Sequence, residues 1–314
     1  MIYIIIPTYN RAHTLPRAIE SCLKQKGDFT IVVVDDGSTD DTRSLIEKYQ
    51  QSNLGKIIYH YQENGGVCSA CNTGINIALQ ISQDHKCDYV TRLGSDDELH
   101  EDAITIYNQY IEKYVNNTIF FFKMINHLGQ NHSQIQKDYC ITYQQYLSGK
   151  YIGGSDANDL IRLDAFLDND NYFISGLHGG DNIPFHKIIK KTGQCVVSSQ
   201  ITYIAYINTE SMTRSVISPK YAKQLLDVQL IILKNFYEDY KKYNPKLIGL
   251  HSLIVARNYG MLGDKIQNIK YLFKGIYYSP FDIIRIGLAI IALFPYSLHM
   301  INYIIKVFIL KNIK

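Results

Sequence analysis

Two acidic stretches decide the fold: Val34-Asp35-Asp36-Gly37-Ser38 and, about sixty residues later, Leu93-Gly94-Ser95-Asp96-Asp97-Glu98. Each follows an apolar, β-branched run of the kind that forms a buried strand, so carboxylates collect where strands end. In an open α/β sheet, ligands sit in the crevice at the carboxyl ends of the strands. Aspartates gathered there suit a hard, oxygen-ligated divalent cation, which ordinarily has phosphate oxygens to neutralise. The two stretches therefore predict a site for a nucleotide-diphosphate ligand.

Outward from them the chain alternates strand and helix. Residues 2–6 read as a buried strand stopped by Pro7, and residues 10–25 as a helix with Leu15, Ala18, Ile19, Cys22 and Leu23 on one face. Strands follow at 30–34, 56–62 and 88–93, with helices at 41–51 and 68–81 between them. That alternation predicts a doubly wound, mostly parallel sheet flanked by helices. A further helix is expected at 101–115 and a strand at 119–123. From 126 to 208 the text is polar and loop-rich, and from 218 to 267 it turns helical. The expected organisation is a nucleotide-binding half (1–125), an acceptor-binding half (126–215) and a helical, apolar C-terminal region (216–314).

Composition removes several function classes. The chain has 314 residues, a formal net charge of +3 and no Lys/Arg-rich run, far from the basic excess of a nucleic-acid binder. No G-x-G-x-x-G follows the first strand, which excludes a dinucleotide dehydrogenase. Six cysteines show no framework spacing, and residues 1–7 carry no basic n-region ahead of the first strand. A reducing, cytoplasmic setting is the expectation.

The tail is the most apolar part. Residues 286–305 contain no Asp, Glu, Lys or Arg, and Arg285 and Lys306 flank them. The length suits a membrane span, but Pro295, His299 and Asn302 interrupt it. The tail is expected to lie on the inner face of the plasma membrane as a peripheral anchor; the competing reading packs it on the enzyme's own body.

Four motifs stand in order: Ile5-Ile6-Pro7-Thr8-Tyr9-Asn10-Arg11, Val33-Val34-Asp35-Asp36-Gly37-Ser38, Asn64-Gly65-Gly66 and Leu93-Gly94-Ser95-Asp96-Asp97-Glu98. Together they resemble the family 2 glycosyltransferases of the GT-A fold, strongly over the first hundred residues and loosely over the next hundred. The resemblance implies a Rossmann-like α/β domain, a UDP-sugar donor, a Mg²⁺ or Mn²⁺ ion and inversion at the anomeric carbon. It implies that Pro7, Thr8, Tyr9 and Arg11 line the base and ribose pocket, and that Asp36 accepts the uracil N3–H. Gly66 would let the loop backbone approach the donor, and Asp96 and Asp97 would join metal to diphosphate. N-capping of the helix that follows is the competing reading of that pair.

Two departures are visible. The family commonly has Asp-x-Asp-Asp where this chain begins with Gly94, and Ala-Arg-Asn where it has Ala70-Cys71-Asn72. Arg92, Arg11 or the basic residues of the tail are expected to replace the missing cation, although Arg92, inside an apolar strand, reads equally as half of a buried ion pair. Cys68-Ser-Ala-Cys71 lacks a second ligand pair and reads as two small buried helix residues.

Inversion in one step requires a carboxylate base on the acceptor side. Candidates are Asp156, Asp159, Asp164, Asp168, Asp170 and Asp181. Asp181 is the choice, because Gly179-Gly180-Asp181 is similar to the family's acidic acceptor motif. The expected activity is transfer of a hexose, glucose first, to a glycan or glycolipid acceptor such as a lipid-linked oligosaccharide, lipopolysaccharide or capsule precursor. A sugar nucleotidyltransferase and a catalytically inactive GT-A binding protein are the alternatives.

Overall fold

Burial alternates along the first strand. β1 (Ile2–Thr8) sends Ile2, Ile4 and Ile6 to one side and Tyr3 and Ile5 to the other, and all five are buried. A strand covered on both faces belongs in the middle of an α/β sheet. The computed structural model describes residues 1–130, 135–149, 157–168, 172–174, 183–206 and 219–294. They form two compact units, residues up to 206 and residues from 219.

In the first unit β1 lies parallel to β2 (Phe29–Asp35) and to β4 (Tyr89–Arg92), with β3 (Ile57–Tyr61) parallel to β2 on the outside. The order β3-β2-β1-β4 reverses direction between β1 and β4, the topological switch point at which such sheets bind ligands. α1 (Leu15–Leu23), α2 (Thr42–Ser52) and α4 (Ala103–Lys113) pack on one face, against Ile4, Ile6, Ile31 and Val33. α3 (Val67–Ile81) packs on the other, against Tyr3, Ile5, Val32 and Val34. Both cysteines of the C-x-x-C stretch, Cys68 and Cys71, are buried in that second layer.

Beyond β4 the sheet becomes mixed. β5 (Glu98–Leu99), β6 (Ile119–Asn126), β7 (Tyr139–Thr142), β8 (Ala157–Arg162) and β9 (Gln194–Ala205) extend it to nine strands in the order β3-β2-β1-β4-β8-β6-β9-β5, with β7 also on β9. β8 runs antiparallel to both β4 and β6, whereas β6 and β9 are parallel. The reading of 126–208 as loop-rich is therefore corrected: its described residues include three strands and two α-helices, α5 (Tyr143–Leu147) and α6 (Ile183–Thr192). Gln194–Ala205 mixes serines, glutamines and a threonine with its apolar residues, so its hydrophobic alternation is weak; pairing with three neighbours supplies what the pattern lacks.

The second unit is helical: α7 (Pro219–Tyr243), α8 (Pro245–Met261), α9 (Lys265–Tyr278) and α10 (Ile283–Ile291). Short turns join them, and Leu253, Ala256, Leu272 and Ala289 form a buried centre between α8, α9 and α10. Among the described residues no helix is long and apolar enough to cross a membrane. Phe281, Ile283 and Phe294 are exposed, while residues 295–314, most of the apolar tail, lie outside the described part.

Candidate active site

The strand register brings three of the four motifs to one edge. Thr8, at the end of β1, pairs with Asp35, at the end of β2, and the Asp36 amide donates to the Thr8 carbonyl at 2.8 Å. On the other side of β1, the Leu93 amide donates to the Ile5 carbonyl at 2.9 Å, so the second acidic stretch leaves the sheet beside the first. The two loops after β1 and β2 are then stitched together. Asn10 takes the left-handed conformation (φ 51°), which its short polar side chain tolerates, and its Oδ1 accepts the Thr39 amide at 2.8 Å. The Asn10 amide donates to Ser38 Oγ and the Ala12 amide to Asp40. Residue 10 is thus a loop residue, and α1 begins only at Leu15.

The two aspartates of the first stretch divide the work. Asp35 is buried and fixes the turn, accepting from the Ser38 amide and from the Tyr59 hydroxyl. The Asp36 carboxylate accepts from Gln62 (2.7 Å), the Gly65 amide (2.9 Å) and the Gly66 amide (2.8 Å), which holds the glycine loop in place. A carboxylate offers about four acceptor positions, so one of Asp36's remains. Gly66 has φ +86°, a conformation that side chains rarely adopt, and directly precedes α3. The Thr8 hydroxyl is buried, and among the described residues nothing bonds to it. Pro7 is half-buried and Tyr9 exposed at the same edge, with Arg11 one residue beyond the Asn10 bend.

Asp96 and Asp97 do not cap a helix. α4 starts at Ala103 with Asp102 as its cap, and the pair instead leads into β5. β5 pairs with β9, and that pairing delivers Tyr203 and Tyr206 to the acidic loop. The Tyr203 hydroxyl donates to Asp97 Oδ2 at 2.6 Å, and the Tyr206 amide donates to Asp97 Oδ1 at 2.7 Å. Arg17 of α1 donates to the Asp96 carbonyl, lies 3.5 Å above the Tyr206 ring and sits 3.8 Å from Glu98. Burial pushes the Asp97 carboxyl up to about 6, against the lowering effect of those hydrogen bonds; the neighbouring Asp96 adds to the rise. Arg17, Tyr203 and Tyr206 were not legible as site residues: one lies on the polar side of a helix and two at the end of a strand that reads as loop.

Gly94 explains the first departure from the family pattern. A Cβ there would lie 2.7 Å from Asp97 Oδ2, 3.1 Å from the Tyr203 hydroxyl and 3.2 Å from Asp96 Oδ1. Oxygens of both carboxylates thus face one small cradle that a side chain would fill. Among the described residues no group of three or more His, Cys, Asp or Glu is arranged around one point. Two carboxylates nevertheless fit Mg²⁺ or Mn²⁺, since such ions in nucleotide sites take one or two carboxylates and complete their shell with phosphate oxygens and water.

Cys71, at the second departure, is buried, and burial pushes its thiol up to about 12, which leaves it inert. The charge of Arg92, on β4, acts on that thiol. Arg92 is engaged, however: it pairs with the buried Asp159 at 2.6 Å and lies 4.4 Å from the Phe173 ring centre and 5.4 Å from that of Phe185. The ion-pair reading of Arg92 is what the structure shows. Asp159 is thereby occupied as a base candidate, while Asp164 pairs with Arg162 and Asp168 with Lys191. Asn72 grips Phe173 through both of its backbone groups (2.7 and 2.9 Å). Asp156, Asp170 and Asp181 lie outside the described residues.

Known proteins share this fold. The sequence model of Glycosyl transferase family 2 matches residues 3–169. Glycosyltransferase GlyG of Streptococcus pneumoniae is 24% identical over 243 residues, covering 73% of this chain and 78% of its own. Several further curated glycosyltransferases match over 103–133 residues, 20–39% of their own length. S. aureus TarS 1–349, solved with UDP-GlcNAc, superposes with a TM-score of 0.62 at 20% identity, over 96% of this chain and 89% of that one. The mannosyltransferase PcManGT from Pyrobaculum calidifontis, solved with GDP-Man and Mn²⁺, gives a TM-score of 0.54 at 14% identity, over 97% and 84%. The mixed sheet, the carboxyl-end edge at which both acidic stretches leave it and the match over more than half of the chain lead to one conclusion: this protein is a glycosyltransferase of family 2 with the GT-A fold.

Proposed function

We propose that the protein transfers a hexose, glucose first, from a UDP-sugar to a glycan or glycolipid acceptor, with inversion at the anomeric carbon. The observation that carries this reading is that Asp36 and the Asp96-Asp97 pair follow the carboxyl ends of β2 and β4, the two parallel strands that flank β1. TarS, which shares the fold, is known with UDP-GlcNAc and with UDP. Residues 1–125 would hold the donor, and residues 126–215 the acceptor.

Asp36 has an acceptor position left for the uracil N3–H after holding Gly65 and Gly66. The unpartnered Thr8 hydroxyl suits a second polar contact to the nucleoside, with Pro7, Tyr9 and Arg11 beside it. Gly66 leaves the loop backbone open to the sugar diphosphate. Asp96 and Asp97 are the residues that would hold Mg²⁺ or Mn²⁺, with Tyr203 and the Tyr206 amide orienting Asp97. When bound, such an ion supplies Lewis-acid stabilisation of the charge that builds on the leaving nucleotide. Asp181 would take the proton of the acceptor hydroxyl as the new glycosidic bond forms. The exposed Phe281, Ile283 and Phe294 support peripheral contact of the C-terminal region with the cytoplasmic membrane face, where a lipid-linked acceptor would be presented.

The decisive test is UDP release from a panel of UDP-sugars with and without Mn²⁺. Turnover of one UDP-hexose with Mn²⁺ supports the reading. Turnover of GDP-linked sugars alone would overturn the base assignment, and full activity in Asp97→Ala would overturn the metal assignment.

A further inference from the structure

The helical unit contains a pocket whose charge the described residues leave unbalanced. It has a volume of about 450 Å³ between α7, α8 and α10, with apolar walls from Leu225, Ile254, Ile284 and Leu288. Arg257 enters it from α8. Its guanidinium reaches only the side-chain oxygen of Asn258, at 3.2 and 3.4 Å, and among the described residues no carboxylate lies within ion-pair distance. Arg285 stands at the same pocket and carries its own counter-ion, Asp282, at 2.7 Å. Burial and the charge of Arg285 both push the Arg257 guanidinium down from its ordinary pKa.

A partly desolvated cation without a counter-charge is destabilising, and an anion that pairs with it relieves that cost. The planar fork of arginine fits two oxygens of a phosphate or carboxylate side by side. The surrounding chain reinforces the sign: residues 219–314 hold 14 Lys and Arg against 5 Asp and Glu, in a protein whose total net charge is only +3. The pocket is also larger than a bare anion needs, and its walls are aliphatic, so the rest of the ligand is apolar.

We infer that this pocket binds a phosphate monoester carrying an apolar chain, with Arg257 as counter-charge to the phosphate and the walls from α7, α8 and α10 taking the chain. This inference is independent of the sugar donor and of the transferase assignment.

Isothermal titration of the full chain with hexyl phosphate tests it, with inorganic phosphate, hexanol and hexyltrimethylammonium as comparators. Saturable binding of hexyl phosphate at least tenfold tighter than each comparator is expected. Arg257→Gln should weaken it at least tenfold. Ile284 is 56% exposed, so Ile284→Glu should fold normally, offer Arg257 a carboxylate and weaken binding to a similar degree. Absence of saturable binding to the unmodified protein, equal affinity for hexanol, or unchanged binding in Ile284→Glu would each overturn the inference. Sedimentation with phosphatidic acid vesicles, but not phosphatidylcholine vesicles, would assign the ester to a membrane lipid. Hexyl phosphate binding without sedimentation would assign it to a soluble ester.

Discussion

Restoring the family's aspartate at residue 94 should damage this protein rather than improve it. A Cβ at that position would sit 2.7 Å from Asp97 Oδ2, closer than non-bonded contact allows, so the carboxylate must move. It is not free to do so cheaply, because its two oxygens hold the Tyr203 hydroxyl at 2.6 Å and the Tyr206 amide at 2.7 Å. Losing one hydrogen bond to a charged group costs about 1.5–3 kcal/mol. In a unit of roughly 200 residues that lowers the melting temperature by about 3–12 °C. Gly94→Ala should show this loss, and Gly94→Asp more, since a third carboxylate then faces two others in the absence of metal. If Asp97 helps to hold the ion, UDP release should also fall about 10- to 100-fold, the same free energy read as a rate. Thermal unfolding in chelator and UDP release with Mn²⁺ measure the two effects separately. A Gly94→Asp protein as stable and as active as the parent would refute the steric argument, whatever the metal does.

Four other outcomes are expected. Asp36→Ala should raise the donor KM, and because Gly65 and Gly66 lose their anchor it should also speed proteolysis of the 62–66 loop; an altered KM with an unchanged cleavage rate would separate the two roles. Tyr203→Phe removes a hydrogen bond that lowers the Asp97 pKa, so in metal-free protein the Asp97 carboxyl, raised to about 6 by burial, should titrate at still higher pH; an unmoved titration followed by carboxyl NMR would refute that coupling. His251 is held down to about 4, chiefly by burial and then by Arg285. An unfolded histidine titrates near about 6.5, so the unfolded chain takes up a proton first and stability should fall by up to about 3 kcal/mol as pH drops from 6.5 to 4. Denaturant titrations across that window should show the fall, and His251→Gln should flatten it. Asp181→Asn should lower kcat with donor affinity nearly intact; loss of UDP binding would remove it as the base.

The parallel part of the sheet was legible because its central strands are buried on both faces and read as unbroken β-branched runs. Residues 2–6 and 30–34 leave little choice of structure, and the loop after each carries the carboxylates. The position of Asp96 and Asp97 just past a strand end was legible for the same reason. The wall that orients them was not. Tyr203 and Tyr206 come from a strand of mixed polarity that depends on pairing partners far away in sequence, and no local pattern records such a partner. Arg17 looked like ordinary solvated helix surface, and only the fold places it against the Asp96 carbonyl. Arg92 was legible as an anomaly but not as a solution, because Asp159 is 67 positions away.

The pairing of β5 with β9 sets a lower limit on how short a working version of this enzyme can be. The family match stops at residue 169, yet the tyrosine that grips the second acidic loop lies 34 positions further on. A fragment trimmed at the edge of the match would keep the nucleotide edge and lose the grip on residue 97. Any minimal or chimeric version must therefore run through residue 206, and swapping the segment 194–206 between relatives should retune the acidic loop without altering a single residue within it.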